Sequence, residues 1–156
     1  MTHEHRSPTD AVDRLTCDAE LSNLPALLAL VCRLCRREEI DEPTCHDLRL
    51  IVEEACVNVM HHAYPSGQSG PLTLAVHVVH RGDSRSVVMT LEDLGRSFDP
   101  LSVVAAEPTA ALEVRALGGL GVHLIRHLSD RQQHQRHPHR GNILTIEKHL
   151  IPPPTR

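Results

Sequence analysis

Val52-Glu-Glu-Ala-Cys-Val-Asn-Val-Met-His-His-Ala-Tyr64 is the stretch on which the reading of the chain turns. Taken as part of a helix running from about Thr44 to His62, it sets Leu48, Ile51, Val52, Ala55, Val59 and His62 along one side. Glu54, Asn58 and His62 fall four residues apart and form a polar row across otherwise apolar surroundings. A carboxylate and an amide oxygen one turn apart suit a hard cation such as Mg²⁺, which takes a few oxygen ligands together with phosphate and water. The same carboxylate could accept a proton from a hydroxyl or water nucleophile. Read alone, the row is equally well explained as a solvated helix face.

Outward from this helix the order of elements follows from periodicity and punctuation. Val12–Cys17 alternates as an edge strand. A first helix begins near Pro25, with Ser22 or Asn23 as its cap, and carries Leu24, Leu27, Leu28, Val31, Leu34 and Cys35 on one face. Ile40-Asp-Glu-Pro43 ends it. After the turn Tyr64–Pro71, the β-branched runs Leu72–Val79 and Ser86–Leu91 form a hairpin across a somewhat longer connection at Arg81–Ser84. A further helix opens at Gly118 and runs to about Ser129. Closing strands near Gln132–His137 and Ile143–His149 meet at Arg140-Gly-Asn142. The order β-α-α-β-β-loop-α-β-β predicts an α+β fold, a two-layer sandwich with helices on one face of a mainly antiparallel sheet. The expected organisation is a tail over residues 1–10, one domain over 11–150 with a weakly periodic loop at about 100–117, and a tail over 151–156.

Composition narrows the function. The chain has 156 residues, of which 40% are hydrophobic, and only Tyr64 and Phe98 among Phe, Trp and Tyr. A net charge of −4 and this shortage of aromatics argue against both phosphate-backbone and base-stacking nucleic-acid binding. The sequence holds no apolar run near the roughly 20 residues of a membrane span and no signal-peptide core, so a cytoplasmic protein without membrane contact is expected. Cys17, Cys32, Cys35, Cys45 and Cys56 are an odd set in apolar settings. Cys32-Arg-Leu-Cys35 lacks a second ligand pair, so core thiols are expected.

Two more segments carry chemistry. In Glu92-Asp-Leu-Gly-Arg-Ser-Phe-Asp-Pro100, at the end of a strand, Asp93 can accept a hydrogen bond from an exocyclic amine, and Gly95 permits a tight turn against a flat ligand. A plain strand-leaving turn uses the same residues. In Leu117-Gly-Gly-Leu-Gly-Val-His-Leu-Ile125, glycines before an apolar helix put free N–H groups at its positive end, a site for phosphate oxygens. No Gly-Lys-Ser/Thr follows, and the dinucleotide spacing is absent.

In this order and at these spacings the three segments resemble the N, G1 and G2 boxes of the Bergerat-type (GHKL) ATPase superfamily. Glu-Glu-Ala-x-x-Asn-x-x-x-His-Ala-Tyr, Phe-Asp-Pro and Gly-Gly-Leu-Gly-x-His-Leu-Ile are similar to the anti-sigma-factor serine/threonine kinases of bacterial partner-switching systems. The resemblance covers about residues 12–150. It implies ATP and Mg²⁺ as ligands, Glu54 as general base and Asn58 as the metal ligand. His62 would support the pocket, Asp93 would read adenine, and Gly95 would lie beneath the base. Gly119, Leu120 and Gly121 would line the phosphates under a lid at about 100–117. Arg115 and Arg126 are candidates for phosphate or partner contacts.

The implied partners are an anti-anti-sigma STAS-domain protein, a sigma factor or other regulator, and a second copy in a homodimer formed through the sheet and first helix. The implied activity is γ-phosphoryl transfer to a serine or threonine of the STAS protein. The alternative is a catalytically weak ATP-binding switch that regulates a partner by nucleotide-dependent binding. A third reading, a relative that binds no nucleotide, is disfavoured by the intact Asn58, Asp93, Gly119 and Gly121. Three features depart from the family. Leu94 replaces a more polar residue and predicts an adenine pocket that is drier or differently shaped, the alanine-rich lid is poor in charge, and the His-rich segment Gln133–Arg140 has no counterpart.

Overall fold

The computed structural model describes residues 11–102 and 119–152. The expected terminal tails (except Ile151 and Pro152), most of the lid and Arg115 lie outside this range. Among the described residues, five strands and three helices make two layers. The strands are β1 (Asp13–Asp18), β2 (Pro71–Arg81), β3 (Ser84–Asp93), β4 (Arg131–His137) and β5 (Gly141–Leu150). The helices are α1 (Leu24–Arg37), α2 (Glu42–His62) and α3 (Gly119–Leu128). Every strand pairing is antiparallel, in the order β1-β2-β3-β5-β4.

Local chemistry accounts for most boundaries. Asp41 caps α2 by accepting the Thr44 N–H at 3.1 Å, so the helix starts two residues earlier than Thr44, with Pro43 in its first turn. Asn23 occupies the cap position of α1 without capping it. Its amide donates to the Asp18 carbonyl at 2.9 Å, and a short 3₁₀ turn at Leu21–Asn23 leads into the helix instead. The β2–β3 connection is tighter than expected, because the strands continue to Arg81 and Ser84 and leave only Gly82-Asp83 between them.

The core lies between sheet and helices. Leu27, Leu30, Val31 and Leu34 of α1 and Leu48, Ile51, Val52 and Cys56 of α2 meet Leu72, Leu74, Val76, Val87, Met89, Leu144 and Ile146 of the sheet. Cys35 and Cys45 join this core. Burial, reinforced by a mutual hydrogen bond, drives the Cys35 thiol far above its usual range, while burial pushes Cys56 up to about 12. Both are therefore packing residues with little thiolate character. α2 contacts both α1 and α3, which makes it the axis of the helical layer. No helix among the described residues is long and apolar enough to cross a membrane.

Register places the site. On the helix-facing side of the sheet, Val76, Met89 and Ile146 form one row with Gln132. The next row is Leu74, Leu91, Leu144 and His134, and the last is Leu72, Asp93, Asn142 and Arg136. The sheet thus runs from an apolar centre to a polar end within two residue pairs. The Asp93–Asn142 end is where α2 terminates.

Candidate nucleotide-binding site

A pocket opens at this polar end between sheet and helix. Its lining includes Ala55, Asn58 and Val59 from α2, Leu91 and Asp93 from β3, Phe98 and Pro100 from the following loop, and His134, Asn142 and Leu144 from β4 and β5. Apolar side chains supply most of the wall, which suits a flat, weakly hydrated ring, and the polar groups are few.

Asp93 is the most tightly specified of them, at 6% exposure. Its Oδ1 accepts from the Gly95 N–H at 2.9 Å and from Asn142 Nδ2 at 3.0 Å. Oδ2 has no partner among the described residues and remains free to accept from a ligand amine. The approach of β5 is close enough that a side chain at position 141 is excluded. Gly141 has φ +74°, and a Cβ there would stand 2.1 Å from the Asp93 carbonyl oxygen.

Gly95 is a matter of packing. A Cβ would lie 2.3 Å from the Ala63 carbonyl oxygen at the end of α2, and that same oxygen accepts the Arg96 N–H at 2.8 Å. Arg136 donates to the Gly95 carbonyl at 2.8 Å from β4. The loop after β3 is therefore clamped from both layers. Tyr64 adds a third tie, donating to the Pro71 carbonyl at 2.5 Å and accepting the Leu94 N–H at 2.9 Å. Both aromatic residues of the chain thus serve this corner, since Phe98 lines the pocket and carries the Arg96 guanidinium 5.6 Å from its ring centre.

The polar row of α2 divides between compartments. Asn58 faces the pocket, and its amide has no hydrogen-bond partner among the described residues. His62 lines a neighbouring surface hollow with His61, Tyr64, Leu94, Gly95 and Arg96. Desolvation, followed by His61 and Arg96, holds the His62 imidazole below its ordinary pKa, and its carbonyl accepts from Arg96 Nε at 2.8 Å. Four residues along a helix turn about 40° past a full circle, so the ends of the row from Glu54 to His62 point to different places. Leu94 opens onto the same hollow at 55% exposure and does not line the pocket, so the expected drying of the pocket by this residue is not seen.

Glu54 lies at the junction of α2 and α3. A Cβ at position 121 would stand 2.6 Å from Glu54 Oε2, so Gly121 leaves the room this carboxylate occupies. Burial, with a smaller contribution from Glu53, raises the Glu54 pKa. Gly119, Leu120 and Gly121 form the first turn of α3 rather than preceding it, so the helix's unpaired N–H groups begin with them. Arg126 donates to the Leu101 carbonyl and fastens the short 3₁₀ turn at Pro100–Ser102 to α3. No group of three or more His, Cys, Asp or Glu side chains among the described residues could hold a metal ion, and this includes the His-rich strand.

Asn142 went unsingled in the sequence, and His134 and Arg136 entered only as members of the His-rich segment Gln133–Arg140. The first had only its place in a turn to mark it, and the others lie in a strand without apolar alternation.

Among the described residues, a five-stranded antiparallel sheet under three helices thus carries a buried aspartate and a helix-borne asparagine on the wall of one apolar pocket. The profile of the histidine kinase-like ATPase domain matches residues 17–148. The chain belongs to this family, in its serine/threonine-protein kinase branch. It is 30% identical over 105 residues to the serine/threonine-protein kinase BtrW of Bordetella bronchiseptica, covering 67% of this chain and 70% of that one. It is 31% identical over 113 residues to the serine-protein kinase RsbW of Bacillus subtilis, and 32% over 108 to RsbW of Halalkalibacterium halodurans. The matches span 64% and 62% of those two relatives. In fold it resembles a chain of the SiaB–SiaC complex of Pseudomonas aeruginosa, with a TM-score of 0.52 at 16% identity over 87% of this chain and 89% of that one.

Proposed function

We propose that the protein is an ATP-dependent serine/threonine kinase and anti-sigma factor, which phosphorylates an anti-anti-sigma STAS-domain partner and thereby weakens its grip on that partner. The observation that carries this reading is the Asp93 carboxylate. It is buried, committed through one oxygen to Gly95 and Asn142, and free through the other in an apolar pocket. That donor-seeking oxygen fits the exocyclic amine of adenine.

Asn58, one wall away with its amide uncommitted, fits a Mg²⁺ ligand, and Mg²⁺ would neutralise charge on the transferring phosphoryl group. Glu54 accepts the proton of the partner's hydroxyl as its oxygen attacks the γ-phosphorus, and the bond to the β-γ bridging oxygen breaks toward ADP. The first-turn N–H groups of α3, beginning at Gly119, Leu120 and Gly121, would offer partial positive charge to the phosphates. His62 and Gly95 act from the adjoining hollow, through the shape of the Ala63–Arg96 corner.

The alternative, a switch with negligible catalysis, keeps every one of these contacts except the work of Glu54. One pair of variants separates the two. Mg-ATP should raise the melting temperature of the wild type, and Asn58→Ala should abolish that shift; an unchanged shift would remove Asn58 from the metal. With labelled ATP and a small STAS-domain protein, Glu54→Gln should bind ATP normally and transfer label about 10²–10⁴-fold more slowly. Transfer at the full rate by Glu54→Gln would remove Glu54 from its role as base, whereas no transfer by the wild type favours the switch.

A further inference from the structure

β4 is a polar edge strand, yet one of its side chains is enclosed: His134 is 10% exposed, between Asn142 and Asp99. The geometry assigns the direction of its hydrogen bond. Asn142 Nδ2 gives both hydrogens to protein oxygens, Asp93 Oδ1 at 3.0 Å and the Arg96 carbonyl at 2.8 Å. Its Oδ1 is therefore an acceptor, facing the Phe98 N–H at 3.5 Å and His134 Nε2 at 3.4 Å, so His134 donates from Nε2. The other ring nitrogen, Nδ1, stands 3.8 Å from Asp99 Oδ1. That carboxylate in turn caps the 3₁₀ turn through the Leu101 N–H at 2.8 Å.

Were the Asn142 amide flipped, its nitrogen would face the Phe98 N–H and its oxygen the Asp93 carboxylate, two like-signed contacts in place of two favourable ones. His134 and Phe98 hold the amide against that flip.

We propose that His134 is a positioning residue for base recognition. It fixes the Asn142 amide, Asn142 fixes Asp93, and Asp93 then offers Oδ2 alone to the ligand. The proposal rests on the nucleotide reading of this pocket. A histidine that merely fills space there would affect all nucleotides alike. One that orients Asp93 affects discrimination between a base bearing an exocyclic amine and one bearing a carbonyl at the same place.

The test is calorimetric binding of ATP and of ITP, which replaces that amine with a carbonyl oxygen, at fixed Mg²⁺. The wild type should prefer ATP, and His134→Leu should lose about tenfold of that preference, the scale of one hydrogen bond. His134→Gln, whose amide nitrogen reaches the place of Nε2, should keep it. His134→Asn, too short to reach Asn142, should behave as His134→Leu and stands in for it if the leucine variant does not fold. In the ligand-free protein, NMR should find the Asn142 side-chain amide protected from exchange in the wild type and His134→Gln and fast-exchanging in His134→Leu. An unchanged ATP-to-ITP ratio in His134→Leu and His134→Asn overturns the positioning role while leaving the nucleotide pocket intact. A wild type that binds ATP and ITP equally overturns the reading of Asp93 itself.

Discussion

At position 121 the absence of a side chain is what lets Glu54 stand where it does. The nearest atom to an added Cβ is the Glu54 carboxylate oxygen at 2.6 Å, the far end of a flexible side chain. Gly121→Ala should therefore fold, with a gain of up to about 1 kcal/mol from helix propensity. The carboxylate must swing aside, so phosphoryl transfer should drop at least tenfold while ATP affinity changes little. Equal transfer rates in Gly121→Ala and wild type would detach Glu54 from the chemistry.

The pH behaviour of Glu54 is a second residue-scale consequence. Burial raises its pKa in the folded state above the ordinary glutamate value, so the unfolded chain releases this proton first as pH rises. The group favours the folded state below about pH 4, where both states carry the proton, and that contribution fades as pH rises through its folded-state value. Glu54→Gln should accordingly raise the melting temperature at pH 7–8, with the gain vanishing toward pH 4. A constant difference across that range would place the effect outside the carboxyl group. Helical spacing offered Glu54 and Asn58, and turn chemistry Asp93 and Gly95, only beside plain structural readings, and the family resemblance singled them out. Asn142 was not, because its bond to Asp93 exists only once β5 has paired with β3 in one register, 49 residues apart in sequence.

Among the elements, Tyr64 shows how the site corner is assembled from three of them. Its hydroxyl joins the residue after α2 to the start of β2 and to the loop leaving β3. Tyr64→Phe leaves the Pro71 carbonyl and the Leu94 N–H without that partner, and part exposure lets water replace some of the loss. About 1 kcal/mol should go, or roughly 3 °C in melting temperature for a chain of this size. ATP affinity should weaken with it, because the Leu94–Gly95 backbone positions Asp93. A stability loss without any binding loss would show the loop to be held well enough by Arg136 and Ala63.

Most elements could be read from pattern. β2, β3 and β5 carry dense apolar alternation, and α1 and α2 have clear faces and a proline in the first turn. β4 was legible as a strand but not as a surface. Gln132, His134 and Arg136 face the helices while Gln133 and Gln135 face away, and nothing in polarity distinguishes the two sets. The α2 row misled in a different way. Spacing of four residues puts Glu54, Asn58 and His62 on one face, yet helical drift delivers them to the α3 junction, the pocket and the hollow in turn.

For the molecule as a whole, the described residues put no covering layer on one face of the sheet. Arg14, Thr16, Thr73, Ala75, Val88, Thr90, Ile143 and Thr145 share that face by register. Beside it, Val12 next to the edge strand β1 is 49% exposed, and Leu21 at the entrance to α1 is 54% exposed. We infer a homodimer that uses this sheet face together with the β1–α1 border. The centre of this face is small and β-branched, and Glu92 and Glu147, which share the face, are paired with Arg140 and Arg81, which suits contact between copies. Sedimentation at micromolar concentrations should give twice the 17.3 kDa mass of the chain. Leu21→Glu and Val88→Glu should each shift it toward monomer, with circular dichroism unchanged because neither side chain belongs to the buried core. The nucleotide pocket lies on the opposite side of the sheet, against α2, so the dissociated variants should bind Mg-ATP as the wild type does. A wild type that sediments as a monomer at 100 µM (about a hundredfold above a micromolar dissociation constant) would rule the dimer out.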